Sequence, residues 1–122
     1  MLLKLDFSSG TPIYRQIRDQ IVLGIADGAL TPGERLPTIR ALAEESGINM
    51  MTVNKAYQML KQEGYILADR RSGATVAGRK PGGLSQEAEQ SLRLIASEAR
   101  LGGLDKAAFL SLCERLFDRT EE

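Results

Sequence analysis

The sequence predicts a mainly α-helical fold with one small β-hairpin and a two-helix C-terminal tail. Apolar residues recur at helical spacing in five segments of the chain. Two short β-prone runs flank a polar turn after the third segment, and the glycine-rich stretch of residues 78–83 precedes the last two. We therefore expect a compact module over residues 1–78, a linker over 79–83 and a helical tail over 84–122.

The first elements are predicted from alternation and from helix-start chemistry. Leu3, Leu5 and Phe7 alternate with polar residues, which indicates a short half-buried strand. Thr11 is a suitable N-cap, and Pro12 suits the first position of a helix because it has no N–H to satisfy there. The apolar face of this first helix consists of Ile13, Ile17, Ile21 and Ile25.

Two further helices are predicted to begin at polar caps and to end at glycines. Thr38 caps a helix over residues 39–46, and Gly47 ends it in the left-handed conformation. Asn49 caps a longer helix over residues 50–63. Its buried stripe at helical spacing consists of Val53, Ala56, Tyr57 and Leu60.

The spacing of small and β-branched residues in these two helices indicates a helix-turn-helix. Ala43 suits the point where the helices touch, Gly47 suits the turn, and Val53 returns the later helix to the core. That helix then projects as a recognition helix, which a major groove about 12 Å wide admits. Residues 65–67 and 74–76 are predicted strands around the turn 69–73, so the module is a winged helix-turn-helix.

The solvent side of this unit carries residues suited to DNA. Side chains at the start of the recognition helix can contact bases, and its N–H groups favour a phosphate. The arginines near the second helix and at the hairpin tip can neutralise phosphates, although Arg35 could instead pair with a carboxylate. Met50 and Met51 could contact thymine methyl groups or rest on neighbouring apolar surface. These residues are Arg35, Arg40, Asn49, Met50, Met51, Thr52, Asn54, Lys55, Arg70 and Arg71.

Composition excludes several classes of protein. The 122 residues include one cysteine and no histidine, so an internal disulfide and the usual Cys/His zinc sites are ruled out. No nucleophile paired with a base, glycine-rich phosphate loop or convergent acid pair is present, so we predict no enzyme, no cofactor and no metal. No apolar run approaches the ~20 residues of a membrane span, and the cytoplasm is the expected location.

Charge separates the two parts of the chain although the total is zero. Residues 1–80 hold 11 Lys and Arg against 8 Asp and Glu, whereas residues 81–122 hold 5 against 8. The balances are +3 and −3, which suit nucleic acid at the front of the chain and another role for the tail.

Several runs resemble the GntR family of bacterial transcription regulators. They are LTPGERLPTIRALA at residues 30–43, GIN at 47–49, TVNKAY at 52–57, Leu60 and EGY at 63–65. The resemblance covers about residues 11–77, and the PIY start at 12–14 with the short C-terminal segment is similar to the YtrA subfamily. It implies a winged-helix DNA-binding domain with a two-helix dimerisation tail. Members of that subfamily are dimeric repressors that are often encoded beside ABC transporters.

The resemblance also implies roles for particular residues. Arg40 matches the family's phosphate-contacting arginine, Thr52 a recognition-helix hydroxyl, and Gly73 the wing glycine. Met50 stands where many members outside this subfamily have a base-reading arginine, and the wing lacks the usual pair of glycines before Thr75. The predicted DNA-binding residues are then Arg35, Thr38, Arg40, Asn49, Met50, Met51, Thr52, Asn54, Lys55, Arg70, Arg71 and Gly73.

The functional hypothesis is a homodimeric repressor that binds double-stranded operator DNA with inverted half-sites. Two amphipathic helices are predicted over residues 84–119, with apolar stripes Ala88, Leu92, Ile95 and Ala99 in the first and Phe109, Leu112, Cys113, Leu116 and Phe117 in the second. These stripes carry more apolar surface than a small winged helix can cover, which indicates pairing with a second copy. Such a tail is too short for a large ligand-binding domain, so the pocket of any effector, of unknown identity, would lie between the tail helices or at the dimer interface. The alternative is a winged-helix module that binds an acidic protein partner.

Overall fold

A computed structural model describes residues 3–69, 73–78 and 82–118 of the chain. It divides into two compact units, Met1–Lys80 and Pro81–Glu122. Most of the predicted linker, at residues 79–81, lies outside the described residues. The elements in chain order are α1 (Ile13–Ala26), α2 (Ile39–Ser46), α3 (Met50–Glu63), β1 (Ile66–Asp69), β2 (Gly73–Val76), α4 (Gln86–Leu101) and α5 (Lys106–Asp118). The mainly α-helical fold with one β-hairpin is confirmed.

Helix α3 lies at the centre of the first unit. It packs on α1, α2 and β1, and its four predicted stripe residues are all buried. The predicted isoleucine face of α1 is confirmed at Ile17 and Ile21, which are buried, whereas Ile13 and Ile25 are half-buried at its ends. The core consists of Ile17, Ile21, Leu36, Leu42, Ala43, Val53, Ala56, Tyr57, Leu60, Ile66, Ala74 and Val76.

The predicted boundaries of α2 and α3 are confirmed together with their caps. Thr38 Oγ1 accepts a hydrogen bond from the Ala41 N–H at 3.0 Å, and Asn49 Oδ1 accepts one from the Met51 N–H at 2.6 Å. Gly47 ends α2 at a φ of 69°, which lies in the left-handed region that disfavours side chains. These local signals set the length of both helices and the tight turn between them.

The predicted N-terminal strand is wrong. Leu3 and Leu5 pack against the core, but the segment pairs with no strand in the described part of the chain; two glutamine side chains of α1 bond the backbone of Lys4 and Asp6 instead. The amide of Gln20 accepts from the Lys4 N–H and donates to the Lys4 carbonyl, at 2.9 and 2.6 Å. Gln16 makes the same pair of bonds with Asp6, at 2.8 and 2.9 Å.

The predicted cap of α1 is also wrong. Pro12 occupies the N-cap position, and no side chain caps this helix end. The Thr11 N–H instead donates to Ser9 Oγ at 3.0 Å, within the turn that precedes the helix. The Pro12 carbonyl accepts from the Arg15 and Gln16 N–H groups at 3.1 Å, which starts the helical hydrogen bonding one residue later than expected.

The hairpin pairs β1 with β2 in antiparallel register, with Ile66 opposite Val76. The strands reach Asp69 and Gly73, so they run further toward the turn than predicted, and residues 70–72 lie outside the described part of the chain. Residues 33–36 pair with the free edge of β2: the Leu36 N–H donates to the Ala74 carbonyl, and the Val76 N–H donates to the Glu34 carbonyl. The loop before α2 is thereby hydrogen-bonded to the β1–β2 hairpin, which is the wing of this fold.

The second unit contains the two predicted tail helices. Ser85 caps α4 by accepting a hydrogen bond from the Ala88 N–H at 3.0 Å. None of the described residues of α4 and α5 is buried within the chain. Leu92 and Ile95, on the predicted stripe of α4, remain 44% and 51% exposed. Within the described ranges, no helix is both long and apolar enough to span a membrane.

Tyr57 joins the recognition helix to the segment that leads into α2. Its ring lies in the core, and its hydroxyl donates to the backbone carbonyl of Pro37 at 2.8 Å. Burial raises the pKa of Tyr57 to about 12, because the phenolate would lose its hydration. The neutral form therefore stabilises the native state.

We expect Tyr57→Phe to lower the free energy of unfolding by roughly 0.5 to 1.5 kcal/mol, because it leaves the Pro37 carbonyl without this donor. The folded pKa lies above the ordinary value of 10.0, so the contribution of Tyr57 is complete below pH 10 and is lost as the pH rises toward 12. Urea unfolding between pH 8 and 12 measures both effects. A variant whose stability declines as steeply as that of the wild type above pH 10 would contradict this assignment.

Candidate nucleic-acid interface

The face of α3 opposite its buried stripe forms an exposed ridge. Met51, Lys55 and Gln58 recur at spacings of four and three residues, which places them on one side of the helix. All three are exposed, and Met51 retains 78% of its surface. Because the core holds the opposite face, this ridge is the part of α3 that a groove in DNA can receive.

The start of α3 combines free donors with polar side chains. Asn49 and Asn54 are exposed, Thr52 is half-buried, and the first turn contains no Asp or Glu. The cap occupies Asn49 Oδ1, which leaves the NH₂ group of that amide available as a donor. The positive end of the helix dipole lies in the same place as this donor, so the region favours the negative charge of a phosphate.

The start of α2 has the same character. Thr38 uses its hydroxyl oxygen for the cap, and Arg40 is exposed in a first turn without Asp or Glu. Arg40 forms no ion pair within the described residues, so its guanidinium remains available for a phosphate.

A shallow cleft of about 380 Å³ joins three elements of this surface. Thr38 at the start of α2, Gln58 in the middle of α3 and Gly73 at the start of β2 all line it. Gly73 is exposed with a φ of 74°, and no atom of the described residues lies within 4 Å of the position where its Cβ would be. The fold thus brings the predicted wing glycine beside the two helices of the helix-turn-helix.

Arg35 lies on the segment that pairs with β2. It stands opposite Thr75, and the alternation of extended backbone buries its neighbour Leu36 while Arg35 stays exposed. The alternative expectation was a carboxylate partner for Arg35, and the part of the chain that the structure describes contains none. Arg70 and Arg71, predicted at the hairpin tip, lie outside the described residues.

Lys55 is held from the side by α1. Its Nζ lies 4.1 Å from the centre of the Tyr14 ring, a cation–π contact that restricts the lysine without neutralising it. Further along the same helix pair, Arg18 donates to Glu63 at 2.9 Å and to Asp19 at 2.8 Å. Burial acts to lower the pKa of Arg18, but its hydrogen bonds to Glu63 and Asp19 outweigh that effect and raise it.

Two residues of this surface were missed by sequence reasoning. Gln58 continues the exposed ridge of Met51 and Lys55, and its helical spacing from them was a signal that could have identified it. Tyr14 reaches the site only because α1 crosses α3, which no local pattern shows.

The described residues contain no group of three His, Cys, Asp or Glu side chains that could hold a metal ion. In the second unit, a cleft of about 480 Å³ lies between α4 and α5, near Ala96, Arg100 and Phe109. Cys113 is half-buried in the stripe of α5.

Comparison with known proteins defines the class. Residues 13–76, about half of the chain, match the bacterial regulatory proteins of the gntR family. The chain belongs to this family. Its relatives are named transcription regulators, so the family is not one of enzymes, as the sequence predicted.

The relatives also support the predicted subfamily. The HTH-type transcriptional repressor YtrA of Bacillus subtilis is 38% identical over 76 residues, which are 62% of this chain and 58% of the repressor. The structure of YtrA from Sulfolobus acidocaldarius matches with a TM-score of 0.68 at 42% identity, over 83% of this chain and 99% of that one. The chain spans 65%, 14% and 58% of the length of the first three curated relatives it matches.

Two further structures bear on the fold and on DNA. The structure of a transcriptional antiterminator from Listeria monocytogenes matches with a TM-score of 0.85 at 26% identity. The match covers 95% of this chain and 90% of the antiterminator chain. AraR(DBD), solved in complex with operator ORX1, matches 63% of this chain and 99% of its own with a TM-score of 0.57 at 26% identity. The first unit is thus a GntR-type winged-helix DNA-binding domain of a transcription regulator.

We expect Asn49→Ala to lower the free energy of unfolding by about 1 kcal/mol, because it removes the acceptor for the Met51 N–H. Asn49→Asp should retain most of the stability, since a carboxylate caps a helix as well as an amide does. Thermal unfolding of the two variants and of the wild type measures these differences in stability. Equal losses in both would show that the side-chain bond of Asn49 does not determine the stability of this helix end.

Proposed function

We propose that this protein is a homodimeric repressor that binds an operator with inverted half-sites in the bacterial cytoplasm. The observation that carries the proposal is the exposed ridge of α3, which begins at a helix start without carboxylates. AraR(DBD), whose fold this unit shares, was solved in complex with an operator, which supports DNA binding by this unit.

The residues of the interface divide by their chemistry. Arg40 and Lys55 carry free positive charge and are suited to phosphates, and Thr52 can add a hydroxyl contact. Asn54 and Gln58 are exposed amides, which pair with adenine in the major groove. We assign the exposed Arg35, on the segment before α2, and Gly73, on the wing, to contacts with the sugar–phosphate backbone. Binding therefore combines non-specific charge with specific contacts to base edges.

The tail supports association with a second copy. Several large apolar side chains of α4 and α5 remain exposed in the single chain, although they follow the predicted stripes or flank them. Burying such surface against an identical helix pair removes it from water and generates two-fold symmetry. Two recognition helices related by that symmetry read inverted half-sites. The most exposed residues are Leu92, Leu94, Ile95, Leu101, Leu110, Leu116 and Phe117.

The subfamily suggests which genes are regulated, and the tail suggests where an effector would bind. The resemblance to YtrA proteins favours control of a transporter operon. An effector, if one exists, would act at the tail helices, where the cleft beside Arg100 and Phe109 offers space. A ligand there would change operator affinity by favouring one spacing of the two DNA-binding units.

Selection of bound duplexes from a random DNA pool tests the function. We expect enrichment of an inverted repeat whose affinity falls by roughly 0.9 log units per phosphate contact for each log unit of salt. Arg40→Ala and Lys55→Ala should each weaken binding and reduce that slope by about one, because each removes one cation at the phosphates. Asn49→Asp should weaken binding while the cap persists, since it adds a negative charge at the interface.

Lys106→Ala is the matched control, because it removes an exposed cation from the second unit. It should leave the salt slope unchanged. Weak binding without an enriched sequence, equal in all variants, would exclude sequence-specific regulation by this face. An acidic protein partner would then be the better hypothesis for the same basic residues.

A single charge in the tail tests the dimer. We expect Ile95→Glu to convert the dimer to a monomer in analytical ultracentrifugation, because the half-exposed Ile95 would become buried between copies. Ser97→Glu places the same charge on the opposite face of α4 and should remain dimeric. Loss of the dimer should also weaken operator binding by more than tenfold, since the two half-sites are no longer bound together. An Ile95→Glu protein that stays dimeric would exclude this face as the interface.

A further inference from the structure

Met51 is the most exposed large apolar side chain among the described residues of the first unit. It retains 78% of its surface, compared with 69% for Phe7 and 46% for the adjacent Met50. The core of α3 is complete without it, because Val53, Ala56 and their stripe face the other way. The packing of this unit therefore gives no reason for an apolar side chain at this position.

Polar residues stand close to Met51 at the start of α3. Asn49 precedes the pair, Lys55 follows one turn later, and no carboxylate lies in the first turn. Two adjacent exposed methionines at the start of a recognition helix form an apolar spot within a cationic surface. Such a spot fits a partner that is negatively charged overall but presents a small apolar group.

DNA presents such a group in the major groove. Thymine alone among the four bases carries a methyl group there, whereas guanine and adenine present hydrogen-bonding atoms. A thioether has no N–H or O–H to donate, so it cannot form the bidentate bonds by which arginine reads guanine. Methionine is unbranched and polarizable, and it adapts closely to a small apolar surface.

We propose that Met51 is a specificity-determining residue that packs on the C5 methyl group of a thymine in each operator half-site. This inference rests on the proposed function, because it requires an operator. It assigns a base preference to the same interface: a T·A pair opposite the start of α3, recognised by apolar contact. Asn54 then contacts a base edge beside this pair, and Lys55 contacts a neighbouring phosphate.

Replacement of thymine by deoxyuracil tests the methyl contact directly, because uracil keeps the pairing of thymine and lacks only the methyl group. With the full-length protein and its selected operator at fixed salt, we expect one position per half-site where uracil weakens binding by about fourfold, the value of one buried methyl group. If that T·A pair is replaced by C·G, 5-methylcytosine should bind more tightly than cytosine by a similar factor.

The variant Met51→Ala should bind the thymine and uracil operators equally well. Met51→Leu should retain the preference for thymine, because it keeps an apolar side chain. Lys55→Ala is the control: it should weaken binding to both operators and leave their ratio near fourfold. Since Met51 is exposed, both Met51 variants should unfold at temperatures close to that of the wild type.

The possible failures are distinguishable. If no operator is enriched, the proposed function fails. If the operator is bound but uracil is tolerated at every position, the function stands and the thymine contact is wrong. If uracil weakens binding to Met51→Ala as much as to the wild type, another residue reads the methyl group and the assignment to Met51 is overturned.

Discussion

The burial of one stripe of α3 is the constraint on which the rest of the first unit depends. α1, α2 and β1 all pack on this helix, and Val53, Ala56 and Leu60 are completely removed from solvent. Fully burying a side chain of the size of Val or Leu contributes about 1.5 to 3 kcal/mol, so rotation of α3 about its axis would cost several such contributions. The core therefore determines which residues of α3 face a partner.

Polar residues at the helix starts serve the fold and the candidate interface together. Thr38 and Asn49 satisfy N–H groups of α2 and α3, and both stand at the surface proposed for DNA. Their caps keep the helix starts ordered without placing negative charge there. A Glu or Asp side chain in those first turns would also interact favourably with the positive end of the helix dipole, but its negative charge would repel a phosphate.

The two units differ in how much of their apolar surface they bury. The first encloses its own core, helped by the loop that pairs with β2 and by the glutamines that hold the N-terminal segment. The second leaves apolar side chains such as Leu101 and Phe117 exposed. A helix pair of this size has too little interior to bury them, which supports the proposed association with a second copy.

The amino-acid sequence by itself determined the helices of the first unit, the caps of α2 and α3 and the buried stripe of α3, because these depend on contacts between residues a few positions apart. It also predicted which residues at the start of α3 are exposed, since the buried side of a helix defines the exposed side. Tertiary structure decided the rest. Leu3–Phe7 resembled a strand by alternation, but Gln16 and Gln20 of α1 took the place of a partner strand. The pairing of residues 33–36 with β2, and the contact of Tyr14 with Lys55, join segments that lie about 40 residues apart in the chain. Such contacts depend on where α1 crosses α3 and where the hairpin folds back, and no local pattern carries that information.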